Sequence, residues 1–319
     1  MSAAPPPEPL FVGVDVGGTK IVAGAVRGDQ VSGTFEHPTD TSSEATVIGG
    51  IESAAREAIE AFGAPVAVGV GVPSQIDHAT GRVLSSVNIP LEGEPLRDDL
   101  ARRLGVTVLI DNDANCAALA EAHAAGVRNL IMLTLGTGVG GGVVIGGRVF
   151  RGATGLGAEL GHLVIEADGP ECPGACPSRG CLEALCSGQA LARDAGAVAA
   201  ARPDSRLVEL ARARGGPSMG ADVVAAAREG DGDSLSLVER FGTYLGVGMA
   251  GLANAFEPEL IAVGGGLSRV AELYLPRAEE EARGRALPTV AARVRIAVAR
   301  SGHTAGLLGA ARLVATEGV

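Results

Sequence analysis

Apolar and polar positions along this chain follow two periods, and the switches between them lay out its elements. Residues 10–16 are an apolar, β-branched run, broken by Gly17-Gly18-Thr19-Lys20 and resumed over residues 21–26, which reads as a β-hairpin with glycine at its corner. Residues 44–62 change to a helical period, with Val47, Ile51, Ala55, Ala58 and Phe62 on one face. A strand over 66–72 stops at Pro73, and a short helix covers 96–104. A second apolar strand over 106–110 runs into Asp111-Asn112-Asp113-Ala114-Asn115 and hands over to a helix across 114–125.

The pattern then starts again. Residues 130–135 are a strand, 136–142 a glycine corner and 143–145 the returning strand. Helices are expected over 183–200, 205–214, 221–228, 234–256 and 270–283, with strands over 260–263 and 294–299 and a last helix over 304–315. One plan used twice implies two duplicated α/β domains facing each other across a central cleft. The boundary is expected near Asn112. That gives a small N-terminal domain over 1–112, joined by the C-terminal helix at about 303–319, and a large domain over 113–302. Both glycine corners fall beyond strand ends, where α/β sheets bind ligands.

Composition narrows the class. The chain has 319 residues, 46% hydrophobic and 20% charged, and no apolar run near the ~18 residues that cross a bilayer. Residues 1–9 carry neither a basic cluster nor an apolar core, so a cytoplasmic protein is expected, with Pro5, Pro6 and Pro7 as a frayed leader. A net charge of -11 opposes a nucleic-acid surface, which needs clustered Lys and Arg. Among the 26 basic residues the only lysine is Lys20, inside the first glycine turn. Four of the five cysteines, Cys172, Cys176, Cys181 and Cys186, lie in one short segment, a spacing that reads as metal binding before disulfides.

Three constellations carry chemistry. Two glycine corners on two domains could clasp one triphosphate, because glycine admits close backbone approach and the φ > 0 conformations of an N–H nest. Asp15 stands just ahead of the first and could bind the hydration shell of Mg²⁺. Gly136, Gly138 and Gly141 also match G-x-G-x-x-G, but a strand, not a helix, follows, which argues against a dinucleotide site; no P-loop sequence occurs. In residues 111–115, either Asp could be an N-cap, which would account for one of the four polar residues, while a carboxylate there could take the proton of an attacking hydroxyl. Finally, His162 with Cys172, Cys176 and Cys181 makes a closed, four-coordinate structural zinc site. Zinc would fix one ring nitrogen of His162, leaving the other for a ligand, with Glu159 and Glu183 close by in sequence. Several acceptors converging there would suit a polyhydroxylated ligand.

The stretches Asp15-Val16-Gly17-Gly18-Thr19-Lys20, Gly71-Val72-Pro73, Asn88-Ile89-Pro90, Asn112-Asp113-Ala114-Asn115, Leu135-Gly136-Thr137-Gly138, Glu159-Leu160-Gly161-His162 and Gly180-Cys181-Leu182-Glu183 together resemble the ROK family of sugar kinases and repressors, and within it the bacterial glucokinase group. The resemblance implies the actin-like ATPase fold. It implies transfer of the γ-phosphoryl group of MgATP to a sugar hydroxyl, the 6-hydroxyl of glucose, with Asp113 as general base. Asn88, Asn112, Glu159, His162 and Glu183 would hold the other hydroxyls. Gly17, Gly18, Thr19 and Lys20 would meet the nucleotide from one domain and Gly136, Thr137 and Gly138 from the other, with Gly264, Gly265 and Gly266 near the nucleoside.

Two departures from the family pattern stand out. Its first thiol pair is usually Cys-x-Cys, whereas here three residues separate Cys172 from Cys176; the steps from His162 to Cys172 and from Cys176 to Cys181 keep the family lengths, so zinc binding is expected to survive. The glycine usual after Gly-x-Pro is Ser74. A sugar-sensing repressor of the same family would carry a helix-turn-helix domain ahead of the first phosphate motif, for which about nine residues give no room. A kinase for another hexose or for N-acetylmannosamine is the nearer alternative. Sugar and ATP are the expected partners, with neither nucleic acid nor membrane, and a closed homo-oligomer, dimer or tetramer, is the common expectation.

Overall fold

The computed structural model describes residues 8–174, 176–217 and 219–317 apart from the side chain of His303. The leader prolines Pro5 to Pro7 and the His303 side chain therefore lie outside the described residues.

β1 (Leu10–Val16) and β2 (Lys20–Arg27) form the expected hairpin, and β3 (Gln30–Pro38) extends it as a further antiparallel strand. β3 alternates exposed and half-buried positions throughout, so it has no apolar run for a sequence reading to catch. α1 (Glu44–Phe62) starts at a capping box in which the Ser43 hydroxyl accepts the Thr46 N–H at 3.2 Å, and it stops at Gly63, φ 97°. β4 (Ala67–Val72) is buried along its whole length. A small hairpin of β5 (Gln75–Asp77) and β6 (Arg82–Ser85) follows, then α2 (Leu96–Leu104), β7 (Thr107–Asn112) and α3 (Asp113–Ala124).

β8 (Leu130–Leu135), β9 (Val139–Ile145) and the two-residue β10 (Arg148–Val149) repeat the opening hairpin. Because β9 begins at Val139, the glycine corner is shorter than the expected 136–142. After a largely irregular stretch come α4 (Leu182–Cys186) and α5 (Gly188–Ala201) in place of one helix over 183–200. The break falls at Ser187, whose hydroxyl leaves the helical path to cap α5 through the Ala190 N–H at 3.0 Å. α6 (Arg206–Arg214), α7 (Gly220–Arg228), α8 (Gly232–Phe256) and β11 (Leu260–Gly264) agree with expectation. The helix expected over 270–283 is instead a 3₁₀ segment at Gly266–Leu273, interrupted at Val270, followed by α9 (Leu275–Arg285) with Pro276 in its first turn. α10 (Pro288–Ala291), β12 (Arg295–Val298) and α11 (Ala305–Glu317) complete the chain.

The two five-stranded sheets have the same order, β3-β2-β1-β4-β7 and β10-β9-β8-β11-β12. In each, an antiparallel meander leads into parallel strands. By internal contacts the chain divides into a first unit of Met1–Asn129, Gly142–Ala158 and Arg300–Val319 and a second of Leu130–Gly141 and Glu159–Ala299. α3 lies along α11, so residues 113–129 stand in the first unit. Among the described residues no helix is long and apolar enough to cross a membrane.

The first sheet buries its two faces differently. One carries Val14, Ile21 and Val70, which share one buried cluster with Ile51 of α1 and Leu100 of α2. The other receives α11 at contact distance. A Cβ on Gly13 would stand 2.1 Å from the Leu307 carbonyl oxygen, and one on Gly69 would stand 1.7 Å from that of Ala310. Gly309, on α11 itself, has the same closeness to the Cys116 carbonyl of α3. The start of α11 is anchored by Glu121, a buried carboxylate of α3 that accepts the Arg300 and Ser301 N–H groups at 2.8 and 2.9 Å.

Gly69→Ala must therefore lift α11 from β4 and should destabilise the protein by about 3 kcal/mol, seen as a lower urea midpoint. Gly196→Ala in α5, where a Cβ meets nothing within 4 Å, should raise that midpoint by about 0.5 kcal/mol equivalent. Equal midpoints for the two variants would exclude close helix–sheet contact as the reason for Gly69.

Candidate active site

In the first unit, the parallel register sets Asp15 beside Gly71 and Gly71 beside Asp111, a row across the carboxyl ends of β1, β4 and β7. Gly71 lets α3 begin against β4, since a Cβ there would stand 3.1 Å from the Cys116 sulfur and 3.7 Å from Cα of Asp113. The hairpin corner after Asp15 is closed by the Gly17 N–H on the Lys20 carbonyl at 2.8 Å. Thr39 latches it from β3's end, its hydroxyl donating to the Gly17 carbonyl at 2.7 Å and its N–H to that of Thr19 at 3.0 Å. Gly18, Thr19 and Lys20 are exposed at the tip. Lys20 forms an ion pair with Glu36 at 2.9 Å, both solvent-exposed, a geometry worth little to stability.

The polar run at the start of α3 divides its tasks cleanly. Asn112 is the N-cap, its Oδ1 accepting the Ala114 and Asn115 N–H groups at 2.9 and 3.4 Å, while its Nδ2 donates to the Ser74 carbonyl at 3.4 Å. Asp111 is buried and structural: it accepts from Arg151 Nε at 2.7 Å, the Asn112 N–H at 2.7 Å and Asn115 Nδ2 at 2.8 Å. Arg151 also pairs with Glu317 at the end of α11. Asp113 opens the helix, half-buried, with Oδ1 accepting the Ala114 N–H at 2.9 Å. Burial, with the Asp113 charge next in size, pushes the Asp15 carboxyl up to about 6, although Lys20 opposes the shift. Asn88 is exposed in the turn after β6.

In the second unit, Gly264 pairs with Thr134, so the corner after β8 and the glycine triplet after β11 emerge side by side from adjacent parallel strands. Gly265 has φ 80°, and a Cβ on it would stand 2.4 Å from the Leu135 carbonyl oxygen. It alone of the seven glycines assigned to the nucleotide has positive φ. The left-handed nest expected of the two hairpin corners is thus not what selects their glycines; Gly18, Gly136 and Gly266 have open space where a side chain would stand, which leaves their backbone approachable. Gly138 is different. Its missing Cβ makes room for the Glu183 carboxylate, which would be only 2.4 Å away. Beneath the corner, the Gly188 and Gln189 N–H groups at the start of α5 donate to the Gly136 and Thr137 carbonyls at 2.8 and 3.2 Å.

The four residues expected to hold a metal are brought together. One ligand atom from each of His162, Cys172, Cys176 and Cys181 lies within 4.8 Å of all the others, a group able to hold a metal ion. Nδ1 of His162 is 3.7 Å from the Cys172 sulfur; a tetrahedral ion with ordinary metal–nitrogen and metal–sulfur bonds would separate them by about 3.6 Å. Nδ1 therefore faces the cluster, which leaves Nε2 on the far side of the ring. His162 ends a 3₁₀ turn, Leu160–His162, that lies against β9 because Gly161 has no Cβ to strike the Val139 carbonyl. The cysteine loop is tied by bridges between Val164 and Cys181 and between Glu171 and Arg179, and it turns at Gly180, φ 60°. The Ser178 N–H donates to the Cys176 sulfur at 3.3 Å and, as the leading cause, lowers that thiol's pKa, while burial pushes Cys172 up to about 12.

Glu183, in the first turn of α4, joins cluster and corner. Its Oε2 accepts the Val139 N–H at 2.8 Å, and its Oε1 accepts from the Cys172 thiol at 3.5 Å. The Val139 amide is a partner that residue types alone could not reveal, because it acts through its backbone. Glu159 is exposed and immediately precedes the 3₁₀ turn Leu160–His162. Cys186 takes no part: buried, it donates to the Phe241 carbonyl of α8 at 3.6 Å. The other histidines with described side chains pair elsewhere: His37 with Glu57, His78 with Glu317 and His123 with Asp29.

Two sheets of identical order, each with a glycine-rich corner after its first strand, define the actin-like ATPase fold. Within that class the chain belongs to the ROK family, whose sequence profile matches residues 11–317. It is 38% identical over 315 residues to a glucokinase from Streptomyces coelicolor, covering 95% of this chain and 97% of that one. Among solved structures it is similar to a ROK hexokinase from Thermus thermophilus, with TM-score 0.82 and 36% identity over 97% of this chain and 98% of the other. It is also similar to a ROK family glucokinase from Streptomyces griseus in complex with glucose and AMPPNP, with TM-score 0.78 and 35% identity over 97% and 100%.

Co²⁺ titrated into metal-free protein should give thiolate charge-transfer absorption that saturates at one ion per chain, as the single described His/Cys group requires. Cys181→Ser should abolish the band and Cys186→Ala should leave it. Loss of the band in both variants would place the metal elsewhere.

Proposed function

We propose that this protein is an ATP-dependent glucokinase that transfers the γ-phosphoryl group of MgATP to the 6-hydroxyl of glucose. The observation that carries the reading is the division of labour at the start of α3: Asn112 caps the helix and Asp111 is locked to Arg151, so the general base falls to Asp113. Whole-length likeness to glucokinases supports the sugar and the donor. Asp113 takes the O6 proton as the new O6–P bond forms, and the bond from the γ-phosphorus to the β,γ-bridging oxygen breaks to release ADP. Asn88, Asn112, Glu159, His162 and Glu183 are assigned to the other hydroxyls. Gly17, Gly18, Thr19, Lys20, Gly136, Thr137 and Gly138 are assigned to the phosphates, and Gly264, Gly265 and Gly266 to the nucleoside.

Asp15 is assigned to the water shell of the nucleotide's Mg²⁺. Zinc is the metal proposed for His162, Cys172, Cys176 and Cys181: three thiolates and an imidazole suit it, and a closed shell supplies no chemistry to the transfer. Its role is to hold the His162 ring with Nε2 presented to a sugar hydroxyl. This reading carries a cytoplasmic location, where ATP is available, and a homo-oligomeric state, testable by light scattering. A kinase for N-acetylmannosamine or another hexose remains the alternative that a substrate panel separates.

A coupled assay with MgATP across hexoses and N-acetylated amino sugars should show glucose with the highest kcat/KM; no turnover of any sugar would sink the reading. Asp113→Asn should keep glucose binding while kcat falls about 10²- to 10⁴-fold. Activity retained in that variant would move the base elsewhere.

Acid should weaken Mg²⁺ binding in a defined window. Binding needs the Asp15 carboxylate, and a carboxyl at about 6 is mostly protonated below that pH. Apparent Mg²⁺ affinity should therefore drop about tenfold from pH 7 to pH 5. A drop beginning only near pH 4 would show that Asp15 is not the group that counts.

A further inference from the structure

Two serine hydroxyls connect the segment after β4 with the turn that carries Asn88. Ser74 is buried, and its Oγ lies 2.8 Å from Oγ of Ser86. Ser86 Oγ in turn lies 2.6 Å from the Ile89 carbonyl and donates to it, across a turn whose exposed tip is Val87-Asn88. A serine hydroxyl has one proton and two lone pairs. The Ser86 proton is committed to Ile89, so Ser74 is the donor in the hydroxyl pair.

The base of the turn is held from below as well. The Ile89 carbonyl also accepts the Leu91 N–H at 2.9 Å, and Ile89 and Leu91 are both buried. The tip is thus fixed by what happens beneath it, while Asn88 faces solvent. Ser74 works in a second direction through its backbone, because its carbonyl accepts Nδ2 of the capping residue Asn112. One residue therefore touches both Asn112 and the support of Asn88. The glycine that the ROK pattern has here could offer the carbonyl but no hydroxyl.

We propose that Ser74 is a positioning residue for the sugar, which orders the Asn88 turn through Ser86 and thereby sets sugar affinity without entering the phosphoryl transfer. The proposal rests on the kinase reading only for its sugar half; the bracing of the turn is independent of substrate. A hydroxyl pair with one member buried and the other half-buried contributes modestly but favours one rotamer for each side chain. Losing the Ser74 proton leaves the Ser86 oxygen short of a donor, with its bond to the Ile89 carbonyl as its remaining hold.

The test combines hydrogen exchange with kinetics in Ser74→Ala, Ser86→Ala, the double variant and Ser74→Thr, which keeps the hydroxyl. Exchange in the segment spanning residues 83–91 should quicken about two- to tenfold in each alanine variant, with α1 unchanged. The double variant should be no worse than Ser86→Ala, since both act through one link. The glucose KM should rise by a similar factor while kcat and the ATP KM stay within about twofold, and Ser74→Thr should restore much of the loss. Unchanged exchange in Ser74→Ala overturns the brace, whatever the enzyme does. Faster exchange with an unchanged glucose KM overturns the sugar role. If the wild type phosphorylates no hexose, the kinase reading and the sugar role fall together, and exchange alone decides the brace.

Discussion

The carboxylate of Glu183 is the contact that ties the second unit's glycine corner to α4. One oxygen is held by the Val139 N–H and fills the space that Gly138 leaves by having no side chain; the other reaches the Cys172 sulfur. Corner and helix are therefore positioned against one another by a single charged group, while the contact with Cys172 belongs to the metal-free thiol, since a metal-bound thiolate has no proton to donate. A larger residue at position 138 would push that carboxylate away. The amide of Val139 would then lose a charge-assisted partner, and such hydrogen bonds are among the stronger ones in a protein.

The same economy operates in the first unit, where missing side chains rather than added contacts set the geometry. Gly13 and Gly69 bring α11 down on the sheet, Gly71 brings α3 down on β4, and Asp113 is placed by that descent. Asp111 then draws Arg151 and the end of α11 into the same support. With the Asn112 side-chain oxygen capping the helix, the first turn of α3 holds Asp113 on a scaffold tied to β4 and α11. Rigid support of this kind is what positioning-dominated phosphoryl transfer asks of a protein.

Much of this was legible in the sequence. The repeated hairpin-then-parallel plan follows from apolar runs and glycine corners, and the His/Cys group follows from residue types at metal-ligand spacing. What escaped has physical reasons. β3 alternates half-buried and exposed residues, β5, β6 and β10 are only two to four residues long, and Ser187 breaks a helix by a local hydrogen bond that competes with an otherwise helical pattern. The corner glycines are expected to be left-handed, but none has positive φ; Gly18 and Gly136 leave open space, and Gly138 makes room for Glu183. Arg151 carries no local sequence signal, because its partners are 40 and 166 residues away.

On this account the metal does no chemistry and yet governs sugar recognition, because it fixes His162 beside a carboxylate that is itself anchored. The measurement that bears on this most directly is glucose affinity as a function of bound metal, by calorimetry on loaded, stripped and reloaded protein with the ATP KM followed in parallel. Stripping should weaken glucose binding about tenfold or more, reloading should restore it, and the ATP KM should hardly move. Unchanged glucose affinity in metal-free, folded protein would contradict the account.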